Sequence, residues 1–467
     1  MRTLVLACFA FASLSAGSIG CSGATAVPPP SSAAPLPVPP LPSDGVADVA
    51  PASAASQQPG TIVFVEDDFP RALAEARSRG VPLFVDTWAT WCHTCLSMRS
   101  YVFPDPSLRR FANRFVWLSL DTERDGNAQV VSKLGPRVLP TLYVIDSATE
   151  HALVAWPGSL TANELAGMLD QALGTAPDGT LKHALEVDAA VTHLQETKDA
   201  AKCITMAADE APRLPPGTAL ADVLRAGISC ADDLPAKAPE RAKLAGIVAL
   251  GDKVAGDLTQ PILADDRSDL WDYVIAGYKA LGEKEHAGDQ KRVASAWASF
   301  LEDQASRAAT PAARAVFDAH RLLAYKALGS PERAVPMLQQ SEHDFPDDYN
   351  PPARLASAYL AMKKYDDALG AMQRALGHAY GPRKLLLYST EADVYEAKGD
   401  HAGSKQALSD ALAYAKTLPL TGGRYSKLLE AFQKRLDGLS AQPRSAAASP
   451  KDPQGSRRST SRGSGTP

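Results

Sequence analysis

From Thr61 to Gly174 the spacing of apolar residues changes period repeatedly, the mark of short strands and helices in alternation. Thr61–Val65 reads as a strand, and Phe69–Ser78 as a helix whose apolar face carries Leu73 and Ala76. Pro82-Leu83-Phe84-Val85-Asp86 is a continuous apolar run closed by an acid, the pattern of a central strand buried on both faces. A helix opens at Cys92-His93-Thr94-Cys95 and must stop before Pro104. Phe115–Leu120 predicts another strand, Asn127–Leu134 a helix, and Thr141–Ile145 and Ala152–Trp156 two further strands. Thr161-Ala162-Asn163-Glu164 is a capping box for a last amphipathic helix running through Leu173. The order predicts one mixed α/β domain over 61–174.

From 178 to 439 the pattern settles into a 3.6-residue period, rich in Ala and Leu and broken at Pro and Gly, which predicts an all-α domain. Three segments align on Tyr325, Tyr359 and Tyr395. Nine residues after each Tyr comes a small residue, Ala334, Ala368 or Ser404, and four further on Leu338, Met372 or Leu408. Three beyond those stand Ser341, Ala375 and Ala411. Small residues where paired helices cross, with bulky ones four apart, are what a stacked helix–turn–helix repeat requires. The pattern, with Pro346 at the first closing turn, resembles the tetratricopeptide repeat and is clearest over 312–420. Trp271, Tyr278 and Ala287 fit a fourth, degenerate copy, while 180–260 is helical without assignable repeats. The resemblance implies a groove that takes a protein or peptide; bracing of the α/β domain is the alternative.

The ends have a different composition. Residues 1–20 carry one charge at Arg2 and an apolar stretch from Leu4 to about Leu14, the build of a secretory signal peptide. Ser18-Ile19-Gly20-Cys21 resembles the lipobox of bacterial lipoproteins, with Ser18 where that family prefers an aliphatic residue. The resemblance implies a lipid on Cys21 and a place in the bacterial cell envelope, facing the periplasm. Ser22, which is not Asp, points to the outer rather than the inner membrane. Ordinary signal-peptidase cleavage, leaving Cys21 a free thiol, is the alternative. Residues 21–60 form a Pro/Ala-rich stretch that buries too little apolar surface to offset its ordering entropy, and is expected to be an extended, disordered spacer. Residues 440–467 are expected to be a disordered basic tail.

A formal net charge of −5 over 467 residues gives no electrostatic reason to expect a nucleic-acid partner. Nothing resembles a phosphate loop, a Ser/His/Asp triad or a flavin or nicotinamide fingerprint, so no cofactor is expected. The chemistry therefore falls to the six cysteines. A Cys-x-x-Cys at a helix start has a mechanism: amide groups and the helix dipole stabilise the first thiolate, and the second Cys, one turn on, can resolve a mixed disulfide. Half a zinc site would read the same way, but no second Cys pair exists in the domain and only His93 and His151 could assist, so no metal is expected. Cys203 and Cys230 lie 27 residues apart, as a structural disulfide or as two buried thiols.

Residues 61–174 resemble thioredoxin. Asp86 stands six residues before Cys92, followed by Trp88 and Trp91; Val138-Leu139-Pro140-Thr141 matches the family's cis-proline segment, and Gly158 its late glycine. The run Cys95-Leu96-Ser97-Met98 through Val102-Phe103-Pro104-Asp105-Pro106 is most similar to the periplasmic thioredoxin-like module of thiol:disulfide interchange reductases. The resemblance implies a redox-active Cys92–Cys95 pair, with Cys92 attacking, Cys95 resolving, Asp86 taking the proton of Cys95 and a cis Pro140. It also implies that Trp91, His93, Thr94, Leu139 and Gly158 tune the pair or face the substrate. His93-Thr94 replaces the Gly-Pro of reducing thioredoxins, and Leu96 the common Lys after the pair, so reductase and oxidase both remain open.

The expectation is an envelope thiol–disulfide oxidoreductase with a tetratricopeptide-like helical domain, working on client thiols or disulfides and an upstream redox partner. The rival is a non-catalytic interaction lipoprotein, its repeats binding a partner and its α/β domain serving as a docking module.

Overall fold

A computed structural model describes residues 61–175, 179–419 and 425–441; the signal, spacer, Cys21 and the tail beyond 441 lie outside the described residues. Five strands form one sheet in the order β1-β3-β2-β4-β5: β1 (Phe64–Glu66), β2 (Leu83–Trp88), β3 (Val116–Asp121), β4 (Thr141–Ile145) and β5 (Ala152–Pro157). β3 runs parallel to β1 and β2, and β4 antiparallel to β2 and β5. Helices α1 (Phe69–Arg79) and α3 (Ala128–Leu134) cover one face, over Leu83, Val85, Leu118 and Ile145. The other face buries Phe84, Trp117, Leu142 and Val144 beneath Met98, Val102, Phe103 and α4 (Ala162–Ala172). Neighbours Phe84 and Val85 thus point to opposite faces, as the two-residue period of a strand requires, which is why β2 reads as uninterrupted apolar sequence.

Local chemistry sets the helix ends. Asp68 caps α1 by accepting the Arg71 amide, and Gly80 ends it in a left-handed turn. Thr161 and Glu164 make the reciprocal capping box of α4. The helix opening at the cysteines departs from its expected form: α2 (His93–Ser97) is short and widens into a π-type turn over Met98–Val102, where the Phe103 amide bonds back to Met98. Such turns are hard to read from a periodic pattern, because one extra residue fits both periods. Asn127 precedes α3 rather than opening it; its side-chain amide donates to Asp67 and to the Asp121 carbonyl.

The rest is helical. The first part comprises α5 (Gly179–Glu196), α6 (Ala200–Glu210), α7 (Thr218–Ser229), α8 (Arg241–Gly256), α9 (Ala264–Gly282) and α10 (Ala287–Arg307). A short α11 (Pro311–Ala315) leads into three helix pairs: α12 (Asp318–Ala327) with α13 (Ala334–Asp344), α14 (Asn350–Ala361) with α15 (Tyr365–His378), and α16 (Arg383–Lys398) with α17 (His401–Ala415). α18 (Ser426–Ala441) packs on the last pair. Ala334, Ala368, Ser404, Leu338, Met372, Leu408, Ser341, Ala375 and Ala411 are all buried, so the repeat positions are those where these helices meet. The fourth copy differs: α9 and α10 do pair, but Ala287 is exposed at the start of α10.

Cys203 on α6 and Cys230, in the turn after α7, form a disulfide. Cross-linking residues 27 apart removes loop entropy from the unfolded chain worth about 3.5 kcal/mol. Cys203→Ser/Cys230→Ser should therefore lower the thermal midpoint of the helical signal by several degrees, read by far-UV circular dichroism. Reductant should lower the wild-type midpoint by more than the variant's, because the variant keeps only the Cys92–Cys95 bond to lose.

Candidate active site

Strand β2 delivers the chain to the site. After Trp88 it turns at Ala89-Thr90-Trp91 and enters α2, so Cys92 takes the N-cap position, its Sγ accepting the Cys95 amide at 3.1 Å. In a free Cys92 thiolate that amide and the helix dipole would stabilise the negative charge. Here the two sulfurs are joined as a disulfide, with Cα atoms 5.2 Å apart. Ala89, Cys92 and Cys95 form a small buried cluster flanked by Trp88, Trp91 and Leu139.

Leu139–Pro140 is a cis peptide at the entry of β4. The Pro140 carbonyl accepts the Gly158 amide at 2.8 Å, and Gly158 has φ 101°, a conformation open to glycine and costly for other residues. Leu139, Pro140 and Gly158 are thereby brought to the same end of the sheet as the cysteines. Thr87 pins β4 against β2, donating to the Thr141 carbonyl and accepting the Thr141 amide.

Asp86 lies within β2, wholly buried, and neither carboxylate oxygen has a hydrogen-bond partner. Burial pushes its carboxyl up to about 7, against the opposing pull of the Arg99 guanidinium. Arg99 is the cation that the sequence reading did not find. It stacks 4.1 Å from the Trp88 ring centre and bonds to Ser119 and Glu66, and it comes from the π-type turn instead of the position after Cys95. Arg99 follows Cys95 by four positions, but the π-type turn in which it lies changes the direction that an ordinary helical turn would give it.

The helical domain closes over this face, which the sequence did not announce. Cys92 is 4% exposed and Cys95 fully buried. Thr90 donates its hydroxyl to the Tyr349 oxygen, and its carbonyl accepts Asn350 Nδ2. The Arg383 guanidinium lies 4.8 Å from the Trp91 ring centre, and the Arg383 amide donates to Glu123. Tyr380 donates to Asp121 at 2.7 Å, and Ser159, beside Gly158, donates to Asp266. His93 Nδ1 and Thr94 Oγ1 both meet Asp265, in the first turn of α9. Among the described residues His93, Asp269 and His320 could bring ligand atoms within 4.8 Å of one another. Both nitrogens of His320, however, face carboxylates, Asp265 at 3.1 Å and Asp269 at 2.9 Å, so ion pairing accounts for the cluster.

With this geometry in view the comparisons are consistent. Residues 65–147 match the family model described as thioredoxin-like. The α/β domain is thioredoxin-like over that stretch. Over 89 residues it is 33% identical to the thiol:disulfide interchange protein DsbD of Cronobacter sakazakii, 19% of this chain and 15% of that protein. It is 30% identical over 93 residues to thioredoxin C-3 of Corynebacterium nephridii, covering 20% of this chain and 59% of the relative. Thioredoxin 1 of Nostoc sp. is 27% identical over 112 residues, 24% of this chain and 84% of the relative. The chain therefore spans only 15% of the DsbD protein it matches, and the matched segments are short beside its own length.

Two predictions follow from this site. In the unfolded chain Asp86 titrates near 3.8, and in the folded protein near 7. Because the folded pKa is raised, the stability it contributes is whole below pH 3.8 and is lost as pH rises, the loss levelling off above about 7. The total is roughly 4 kcal/mol. The stability gain of Asp86→Asn over wild type, from urea midpoints, should grow between pH 4 and 7 and then flatten; a gain independent of pH would refute the raised carboxyl.

The second concerns the cover. Gly381, between α15 and α16, has φ +59°, and a Cβ there would lie 2.4 Å from the Glu123 carbonyl oxygen. Gly381→Ala should loosen the contact, so that reduced Cys92 is alkylated by iodoacetamide several-fold faster than in wild type, with mass spectrometry locating the label. Weakening closure by about 1.4 kcal/mol would give a tenfold change.

Proposed function

We propose that this chain is a thiol–disulfide oxidoreductase of the bacterial cell envelope that exchanges disulfides with client proteins through Cys92 and Cys95. The observation that carries the reading is the Cys92–Cys95 disulfide at a helix N-terminus, beside a cis Leu139–Pro140 bond and Trp91, with an unpaired buried carboxyl at Asp86 on the adjoining strand. A docking module needs none of these together.

In the reducing direction the Cys92 thiolate attacks a client disulfide, forming the Cys92–client bond and expelling one client thiolate. Cys95 then gives its proton to Asp86 and attacks Cys92 Sγ, closing the protein disulfide and releasing the second client thiolate. Two electrons pass to the client, whose two thiolates take up one proton from Asp86 and one from solvent, the latter replacing the proton that Cys92 lost to solvent on ionising. In the oxidising direction every step reverses. A carboxyl titrating near 7 is suited to taking and returning that proton at neutral pH, since its basicity is matched to the medium. Trp91 and Leu139 keep water from the sulfurs, while Leu139, Pro140 and Gly158 would offer backbone to the client chain. A couple near the ~−270 mV of thioredoxin would make the protein a reductase, one near ~−120 mV an oxidase.

The helical repeats would bind a protein partner or client, and Cys21, if lipidated, would tether the chain through the Pro-rich spacer. No helix among the described residues is long and apolar enough to cross a membrane. One observation favours the second reading: the face that a client needs is held by Tyr349, Asn350, Tyr380 and Arg383 of the same chain. In that reading the α/β domain is a dock for the repeats, and the pair turns over no client.

Dithiothreitol-driven reduction of insulin by the full chain decides between them. Cys92→Ser should lose at least 95% of the wild-type rate, on the order of the loss expected when a nucleophile is removed. Cys95→Ala should accumulate a mixed disulfide through Cys92, visible by non-reducing mass spectrometry. Equal rates in wild type and Cys92→Ser, with no trapped adduct, would leave the interaction reading standing alone.

A further inference from the structure

Asp265 touches both residues that separate the cysteines. It stands in the first turn of α9, its carboxylate about 1% exposed. Its oxygens meet His93 Nδ1 at 2.9 and 3.0 Å and accept the Thr94 hydroxyl. From the other side His320 Nδ1 approaches at 3.1 Å. His320 belongs to α12 and is 2% exposed; its Nε2 faces Asp269, and its ring meets the His93 ring edge-on with centroids 4.3 Å apart. Two elements of the helical domain, remote in sequence, thus converge on a dipeptide of the α/β domain.

The charges follow from the contacts. With a carboxylate at each nitrogen, His320 donates from both and carries a positive charge. Burial alone would lower its pKa, but Asp265 and Asp269 outweigh burial and hold it up at about 10. Burial would likewise favour a neutral Asp265, yet His93 and His320 keep it ionised, well below the usual carboxylate range. Asp266, the next residue, differs: burial and then Asp222 and Asp265 push its carboxyl well above the usual carboxylate range, and it accepts the Ser159 hydroxyl. Asp265 and His320 therefore set opposite charges against the two residues between the cysteines, with Asp269 on the far nitrogen of His320, where solvent screens them little. Removing either leaves the other's field at the sulfur, whose reduced form is the charged one.

We propose that Asp265 and His320 are positioning residues of the redox centre supplied by the helical domain: as an ion pair against His93-Thr94 they set the equilibrium between the Cys92–Cys95 disulfide and its dithiol. The inference rests on the reading of that pair as redox-active.

The test is a glutathione titration of the full chain with acid quench, thiol trapping and mass analysis of the peptide holding both cysteines. In each turnover two glutathione thiols become one glutathione disulfide, and their two electrons and two protons convert the protein disulfide into two thiols. Asp265→Asn, which removes the anion, should move the equilibrium about tenfold towards the dithiol, a rise of about 30 mV. His320→Gln, which removes the cation, should move it by a similar factor towards the disulfide. The double variant should return to within about threefold of wild type, because the two fields were opposed. Asp266→Asn alters the neighbouring carboxyl, which meets Ser159 and neither His93 nor Thr94, and should stay within about twofold. Shifts of one sign in all variants, or none, would overturn the assignment; if Asp265→Asn fails to fold by circular dichroism, the direction of the His320→Gln shift decides alone. Absence of any reversible couple in the wild type would instead bring down the oxidoreductase reading itself.

Discussion

The contact of the helical repeats with the end of the sheet that carries the cysteines governs the rest of this structure. A redox pair that meets proteins normally stands on an open surface. Here Cys92 is 4% exposed, and residues of α9, α14 and α16, with Tyr380 from the connection before α16, hold the loop before it, the dipeptide after it and the acidic turn beside it. Much of this contact is polar: hydroxyls, amides and carboxylates paired across the boundary, with a guanidinium over Trp91. Polar pairs cost little to exchange for water, so such an interface can be specific without being permanent. That combination suits a cover that excludes solvent from the sulfurs and can still be displaced.

The buried Asp86 gains its character from its place in the middle of the sheet. A carboxyl without hydrogen-bond partners is tolerable only when neutral, and so its pKa rises to the range where proton transfer is useful. Arg99 limits the rise from a distance while its own charge is used by Glu66 and the Trp88 face. Stability is given up at neutral pH to keep this carboxyl buried, as expected where a fold bends a local rule, and the proposed chemistry would use it.

How much of this the sequence made legible depends on the range of the interaction. The strands β2 to β5 and the capping box of α4 are written in patterns a few residues long, and were readable to within two or three residues. The repeat positions from Ala334 to Ala411 recur at a fixed spacing, so their burial could be anticipated without knowing what they touch. The Cys-x-x-Cys motif, Asp86 and the Leu139-Pro140 step are local words with a known grammar. Arg99 escaped because the π-type turn shifts its direction, and no periodicity marks such a turn. Asp265, His320, Tyr349 and Arg383 escaped for a deeper reason. Each is an ordinary polar residue on its own helix, and becomes part of the site only through a contact with residues between about 170 and 290 positions away, which no local pattern records.

A distant contact of this kind demands a rigid support, and the middle helices supply one. The Cys203–Cys230 bond ties α6 to the end of α7, and α7 packs on both α8 and α9. Within α9 the absence of a side chain at Gly277 lets Val248 of α8 approach to 2.5 Å of where a Cβ would stand. Trp271, 2% exposed, locks the same helix against Phe300 of α10, and Trp297 of α10 lies beside the His320 ring. Helices packed at such short range cannot slide without opening voids, so the first turn of α9 is held in place. A carboxylate that must reach His93, Thr94 and His320 at once needs that support, since a hydrogen bond weakens steeply with a small displacement. The helices of 180–260, in which no repeat is legible, are therefore among those that support α9 and, through it, Asp265.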